Sequence, residues 1–192
     1  MGHDDLEIGS IEMITGPMFA GKSEELLRRI NRLKYAKKKY LVFKPSIDNR
    51  YSETEVVSHN KRSSKAIAIS KSEEIYKFYT DDIDVICIDE VQFFDERIVK
   101  IIDELANKGK RVICAGLDCD FKGDPFPISA TILAKAEYVT KLTAICCVCG
   151  REATMTQRLV NGVPVSRKDP VVLVGASESY EARCRHCHIV KD

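Results

Sequence analysis

Residues 16–23 read GPMFAGKS, which sets two glycines, a lysine and a serine in the order G-x-x-x-x-G-K-S. Gly16 and Gly21 permit a backbone turn tight enough to aim successive N–H groups at one anion. The ammonium of Lys22 can then reach the β- and γ-phosphates of a nucleotide, and the Ser23 hydroxyl can ligate Mg²⁺. This phosphate-binding loop works between a strand and a helix, and both are legible. Residues 11–15 (IEMIT) read as a short strand. Leu26, Leu27, Ile30 and Leu33 recur at helical spacing, with Arg28, Arg29, Arg32 and Lys34 on the other side. A helix starting near Lys22 also points its positive end at the bound anion.

Outward from the loop, strand and helix alternate up to about residue 142. Residues 40–44 form a strand stopped by Pro45, and 46–64 are polar and aperiodic, as in a long loop. Residues 66–69 are a short strand. Ser70-Lys71-Ser72-Glu73 resembles a capping box opening a helix to about Tyr79. Residues 85–88 (VICI) and 112–115 (VICA) are continuous apolar runs, as in strands covered on both faces. Between them, Asp95 can cap a helix that Gly109 ends, and 127–136 read as a last helix. Such alternation implies an α/β fold: a P-loop, RecA-like domain with a mostly parallel sheet and helices on both faces. Ligands of such sheets sit at the carboxyl ends of the strands.

The texture changes after Leu142. Residues 154–160 and 163–165 alternate around Asn161-Gly162, the signal for a hairpin with a type I′ turn. Residues 171–174 read as a further strand, and no helical pattern follows. The expected division is therefore 1–142, a nucleotide-binding domain, and 143–192, a small β or lasso domain.

Asp89-Glu90 directly follows the apolar run 85–88. An acidic residue at the end of a buried strand can hold Mg²⁺, and a second can take a proton from an attacking hydroxyl. Alternation along a strand would point the two carboxylates opposite ways, giving them different jobs. Asp48 and Arg50 in the polar loop can face phosphate or be solvated loop charges. Phe121 and Phe126, past the strand ending near Leu117, can line a base pocket or anchor the loop.

Of eight cysteines, Cys87 and Cys114 lie in apolar runs and read as buried thiols. Cys146-x-x-Cys149 and Cys184-x-x-Cys187 are paired motifs separated by residues 150–183, a longer gap than usual for a four-cysteine zinc site. Four thiolates satisfy tetrahedral Zn²⁺ whatever the length of the intervening chain. Redox pairs or buried thiols are the alternatives, and Cys147, His186 and His188 are competing ligands. Hydrophobic residues are 44% and charged residues 31%, with a formal net charge of +1. That near-neutrality gives no electrostatic case for nucleic acid or an anionic membrane. No apolar run approaches a membrane span and residues 1–5 do not resemble a signal peptide, so the expected location is cytoplasmic.

The motifs TGPMFAGKS (15–23), DNRYS (48–52), DEVQFF (89–94), GLDCDFKGDPF (116–126) and SYEARCRHC (179–187), with the two CxxC pairs, occur in one order and spacing. In these the chain resembles the cytosolic, type II thymidine kinases over nearly its whole length. The resemblance implies transfer of the γ-phosphate of ATP to the 5′-hydroxyl of thymidine. It further implies Mg²⁺ with ATP, a structural Zn²⁺, and a homotetramer inhibited by thymidine triphosphate. Gly16, Pro17, Met18, Phe19, Ala20, Gly21, Lys22 and Ser23 would hold the donor phosphates, with Asp48, Arg50, Asp89 and Gln92 beside them. Glu90 would be the base. Met18, Phe93, Leu117, Phe121 and Phe126 would shape the nucleoside pocket. Thr156, Val171, Leu173 and Tyr180 would come from a loop folding over thymine, tied down by Cys146, Cys149, Cys184 and Cys187. The alternatives are a RecA-like ATPase whose zinc ribbon acts on nucleic acid, and a zinc-bearing interaction module that only binds nucleotide.

Overall fold

Each apolar run of the first 142 residues becomes a strand of one sheet. The computed structural model describes residues 8–46, 55–57, 63–171 and 178–192. Its main sheet holds β1 (Ser10–Thr15), β2 (Tyr40–Pro45), β5 (Ile67–Ile69), β6 (Val85–Ile88), β7 (Arg111–Gly116) and β8 (Tyr138–Lys141). The order is β5-β2-β6-β7-β1-β8 and every pairing is parallel. The chain belongs to the α/β class, and β1, which precedes the glycine-rich loop, is separated from β6 by one strand.

Alternation along the strands sorts the core into two layers. On one face Ile14, Val42, Val85, Cys87, Ile113 and Ala115 pack with Leu26, Leu27, Ile30 and Leu33 of helix α1 (Lys22–Tyr35). On the other, Met13, Phe43, Ile86, Ile88 and Val112 pack with Ile75 of α2 (Ile75–Phe78), with Ile98, Ile101, Ile102 and Leu105 of α3 (Arg97–Asn107), and with Ile132 of α4 (Pro127–Lys135). Burying each such branched side chain contributes about 1.5–3 kcal/mol. The register of α1 is pinned by charge as well. Arg29 donates to Glu12 of β1 and to Glu25, and at 2.8 Å to Thr140 of β8. Glu12 also accepts from Arg111 of β7.

Several local expectations shift. The polar stretch 46–64 was expected to be a loop, yet β3 (Glu55–Val57) and β4 (Ser63–Lys65) pair antiparallel. Three-residue strands are too short to show a period. The helix expected after Ser70 is a 3-10 turn (Ser72–Glu74) followed by the single turn of α2. Its box closes one residue later than expected: the Glu74 carboxylate, not that of Glu73, accepts from the amides of Ser70 and Lys71 at 3.1 and 3.0 Å. Asp95 serves α3 as expected, accepting from the Arg97 amide, and its other oxygen takes the Ser72 amide. Strand β8 was not anticipated. Its sequence, YVTK, sits at the sheet edge with a solvated face, so it lacks the apolar continuity of β6 and β7.

The remaining strands are β9 (Ala144–Ile145) with β10 (Glu152–Ala153), and β12 (Val163–Pro164) and β13 (Glu178–Arg183) on either side of β11 (Met155–Val160). Asn161 and Gly162 both have positive φ, 52° and 76°, as a type I′ turn requires. Of the strand expected over 171–174, Val171 is in a bend and 172–174 lie outside the described residues. The third strand of this sheet is β13, whose polar sequence ESYEAR gave no apolar signal.

Candidate functional site

Loop 16–23 leaves β1 and enters α1. Gly16 has φ 143°, and a Cβ there would lie 2.3 Å from the Leu142 carbonyl oxygen, so the loop is threaded against the end of β8. Gly21 has φ 83° and stands as the N-cap of α1. Glu24 and Glu25 occupy the first turn of that helix, and Arg32 and Lys34 the last, in the sense the helix dipole favours. Lys22 reaches back across its loop and donates to the Pro17 carbonyl at 2.7 Å. Burial pulls its ammonium below the usual lysine range, while Glu90, Asp89 and Asp118 push the other way. The charges of all three thus act on one ammonium, and these residues follow the carboxyl ends of β1, β6 and β7.

The alternation expected for Asp89 and Glu90 does not hold. Strand β6 ends at Ile88, and Glu90 takes the left-handed conformation, φ 49° and ψ 43°. The backbone reverses there, so both charges act on Lys22. Non-glycine residues in this conformation carry strain of about 1–3 kcal/mol and gather at functional sites. Asp89 is buried and accepts from the Glu90 amide at 3.0 Å. Burial, and then the neighbouring Glu90 charge, push the Asp89 carboxyl up, while Lys22 and Lys44 draw it down. A divalent cation would offset the same repulsion, so this donor set suits Mg²⁺ with the Ser23 hydroxyl.

Gln92 follows in a 3-10 turn (Val91–Phe93). Its amide nitrogen donates to Glu90 Oε2 at 2.5 Å, and its amide oxygen accepts from the Leu117 N–H at 3.1 Å. Phe93 and Phe126 meet edge to face, centroids 6.0 Å apart. Phe121 is buried, with the Arg158 guanidinium 5.2 Å from its ring centre. Leu117, between Gly116 and the buried Asp118, is half-buried. Thr156 and Met18 come together across the chain: the Met18 N–H donates to the Thr156 hydroxyl at 3.0 Å. Tyr180 stands opposite Arg158 in the β11–β13 register. Val171 is half-buried just past Pro170, whose carbonyl accepts from Arg158 at 2.6 Å. Asp48, Arg50 and Leu173 lie outside the described residues.

Two charged residues at this end of the sheet escaped the sequence reading. Asp118 faces Lys22 and pairs with Lys141 at 3.0 Å. It follows the buried strand β7 as Asp89 follows β6, and that parallel could have found it. Lys44 is buried near Asp89, and a lysine closing an apolar strand was its only trace.

The four cysteines of the two CxxC pairs converge. Their sulfurs all lie within 4.8 Å of one another, with Cys149 and Cys184 at 3.7 Å. Tetrahedral Zn–S bonds of about 2.3 Å put sulfurs about 3.8 Å apart. Each pair is a turn: Gly150 N–H donates to the Cys146 carbonyl, and the N–H groups of Cys187 and His188 to that of Cys184. The Cys184 amide, against desolvation, holds the Cys146 thiol below its ordinary value, which favours a thiolate there. His188 turns away, its Nε2 2.8 Å from the Phe121 carbonyl oxygen. Cys147 is exposed and outside the cluster. Cys87 and Cys114 are buried thiols as expected, and burial pushes Cys87 up to about 12. No helix among the described residues is long and apolar enough to cross a membrane.

The family model described as thymidine kinase matches residues 9–188. Among solved structures, the chain is similar to domain III of the Thermotoga maritima replication initiation protein DnaA, with 18% identity over 69% of this chain and 54% of that one, and TM-score 0.42. It is also similar to the Legionella pneumophila ATPase DotB, with 15% identity over 74% of this chain and 43% of that one, and TM-score 0.43. The chain spans about half the length of each.

Proposed function

The chain belongs to the thymidine kinase family, and from that premise we propose that it transfers the γ-phosphate of ATP to the 5′-hydroxyl of thymidine, giving thymidine monophosphate and ADP. The observation that carries the reading is that the Lys22 loop, the Asp89-Glu90 turn and Asp118 follow the carboxyl ends of the parallel strands β1, β6 and β7. A phosphoryl-transfer site needs a cation for the migrating charge, an acid for a metal and a base for the nucleophile, and here they sit together.

In this reading residues 16–23 and Lys22 hold the phosphates. Asp48 and Arg50 stand beside them by the family resemblance. Ser23 and Asp89 hold Mg²⁺, which neutralises phosphate charge when bound. Glu90 accepts the proton of the 5′-hydroxyl as its oxygen bonds to the γ-phosphorus and the bond to the bridging β,γ-oxygen breaks, releasing ADP. Phe93, Leu117, Phe121, Phe126 and Met18 enclose the nucleoside, and Thr156, Val171, Leu173 and Tyr180 cover the base. Zn²⁺ on Cys146, Cys149, Cys184 and Cys187 is structural, since four thiolates leave no open coordination position. The unit boundary near residue 142, a homotetrameric assembly, inhibition by thymidine triphosphate and a cytoplasmic setting complete the proposal. The test is phosphorylation of a nucleoside panel with ATP and Mg²⁺. Thymidine should be the preferred acceptor; ATP hydrolysis without nucleoside phosphorylation would overturn the reading.

A further inference from the structure

We propose that Gln92 is a positioning residue for the Glu90 carboxylate, and that it works by bracketing that carboxylate to the end of β7. The inference rests on the kinase reading above and deepens it. The family resemblance sets Gln92 among the phosphate contacts, but both ends of its amide are engaged by protein. The Leu117 N–H can only donate, so the group it meets at 3.1 Å is the amide oxygen. That fixes the orientation of the side chain. The amide nitrogen is thereby turned onto Glu90 Oε2 at 2.5 Å. Gln92 itself is 6% exposed, while its partners Glu90 and Leu117 are half-buried.

Glu90 needs such a bracket. Its backbone lies in the left-handed region, off the end of the strand, where no ladder hydrogen bond constrains its side chain. Its carboxylate also sits beside that of Asp89, and the two repel. Gln92 supplies a donor to that carboxylate and, through the Leu117 N–H, refers Glu90 to the backbone just past β7. The fit at that strand is close. A Cβ on Gly116 would lie 2.4 Å from Gln92 Oε1 and 3.0 Å from Val91 Cγ1, so a glycine there makes room for the bracket. Leu117, whose amide carries the other end, is a proposed wall of the nucleoside pocket. One side chain therefore ties the base to the surface against which its substrate hydroxyl would lie.

Three variants separate this role from the others. Gln92→Glu keeps an acceptor for Leu117 but sets a like charge against Glu90. Gln92→Met keeps length and loses both bonds. Gly116→Ala displaces the bracket from the β7 side. Misplacing a reacting group by about 1 Å can cost about 10²-fold. We expect kcat to fall by at least about ten-fold in each variant, most in Gln92→Glu, with the KM for ATP and for nucleoside within about three-fold of wild type. Hydrogen exchange should show the Leu117 amide still protected in Gln92→Glu and exposed in Gln92→Met. A merely structural pin predicts that in Gln92→Glu kcat is kept along with the protection, and that result would overturn the proposal. A rise in the KM for ATP larger than the loss of kcat would also overturn it, in favour of phosphate contact. Should the Gln92 variants fail to fold, Gly116→Ala carries the same kinetic test. If wild-type protein phosphorylates no nucleoside, the kinase reading fails, and the Leu117 exchange still reports whether the bracket exists.

Discussion

The two halves of this chain reach order by different physics. Up to residue 142 the inner strands of the main sheet, β2, β6, β7 and β1, are packed on both faces by apolar side chains. After it, among the described residues, the buried apolar cluster is Ala144, Cys146, Ala153 and Ala182, with Ala20, Cys184 and Cys187 against it, and Leu159 and Val165 are buried apart from it. An alanine methyl offers less than half of what a buried leucine or isoleucine does. Ordering the backbone costs about 1–2 kcal/mol per residue. Four thiolates closing on a zinc ion would add folding free energy that so few methyl groups cannot. One half is held by buried apolar area; the other carries four cysteine sulfurs placed to hold a metal, and clasps onto the first. Those clasps include Met18 to Thr156, His188 to Phe121, and Arg167 to Asp124 and Lys122. All of them reach loops at the proposed site.

The comparison predicts that substitutions in the first half act on chemistry and leave order intact. Glu90→Gln keeps the size of the side chain and removes its ability to take a proton, so turnover should fall by about 10²–10⁴-fold with both substrates still bound. Asp89→Asn should instead weaken the dependence on Mg²⁺. Turnover of both variants across a Mg²⁺ titration decides; rescue of the Glu90 variant alone by excess Mg²⁺ would reverse the two roles. Lys22→Ala should cost at least about 10²-fold in turnover. Its melting temperature should not fall, because burial disfavours the ammonium by more than the three carboxylates favour it.

The second half should respond through order. Chelating zinc, or Cys184→Ser, should expose the amides of Met155–Val160 and Glu178–Arg183 to exchange while those of β6 and β7 stay protected. Metal analysis should return one zinc per chain. Loss of both halves together would mean that the clasps, and not the thiolates, set the cooperativity. Tyr180→Ala should raise the KM for thymidine several-fold more than that for ATP, since Tyr180 pairs with Arg158 on the strand that carries Thr156. Equal rises would indicate loosening of the whole half.

The same contrast explains what the sequence disclosed. Buried parallel strands announce themselves, because both faces must be apolar: VICI and VICA were readable without a structure. The glycine-rich loop was readable because its backbone demands named residues. The cysteine clamp was readable because metal chemistry does. Edge strand β8 and the polar strand β13 were hidden, since each has a face that water or a neighbouring polar group can satisfy. The candidate site could be named from the sequence as a set of residues and not as a geometry. Strand alternation assigned Asp89 and Glu90 to opposite directions, and the left-handed turn at Glu90 overrode it. Nothing in a single glutamine foretells that Gln92 spans from Glu90 to Leu117, because hydrogen bonds over 25 positions leave no period.

Acid offers the finest separation of the halves. Zinc thiolates must be deprotonated, so the second half should release metal as pH falls into the mildly acid range. In the first half, Glu25 is held down to about 2, first by its hydrogen bond from Arg28 and then by Arg29. Its folded value lies below its unfolded value, so its contribution is full above about 4.5 and is lost as pH falls from there toward about 2. Arg28 is 58% exposed, so solvent screening limits the effect to about 1 kcal/mol or less. Glu25→Gln should therefore lower stability slightly at pH 7 and flatten its decline below pH 4.5, with no change in the pH at which zinc leaves. Urea melts followed across pH, with metal release read in parallel, test both. A Glu25→Gln protein that lost zinc at a different pH would show the two halves sharing one acid transition, and the division drawn above would fail.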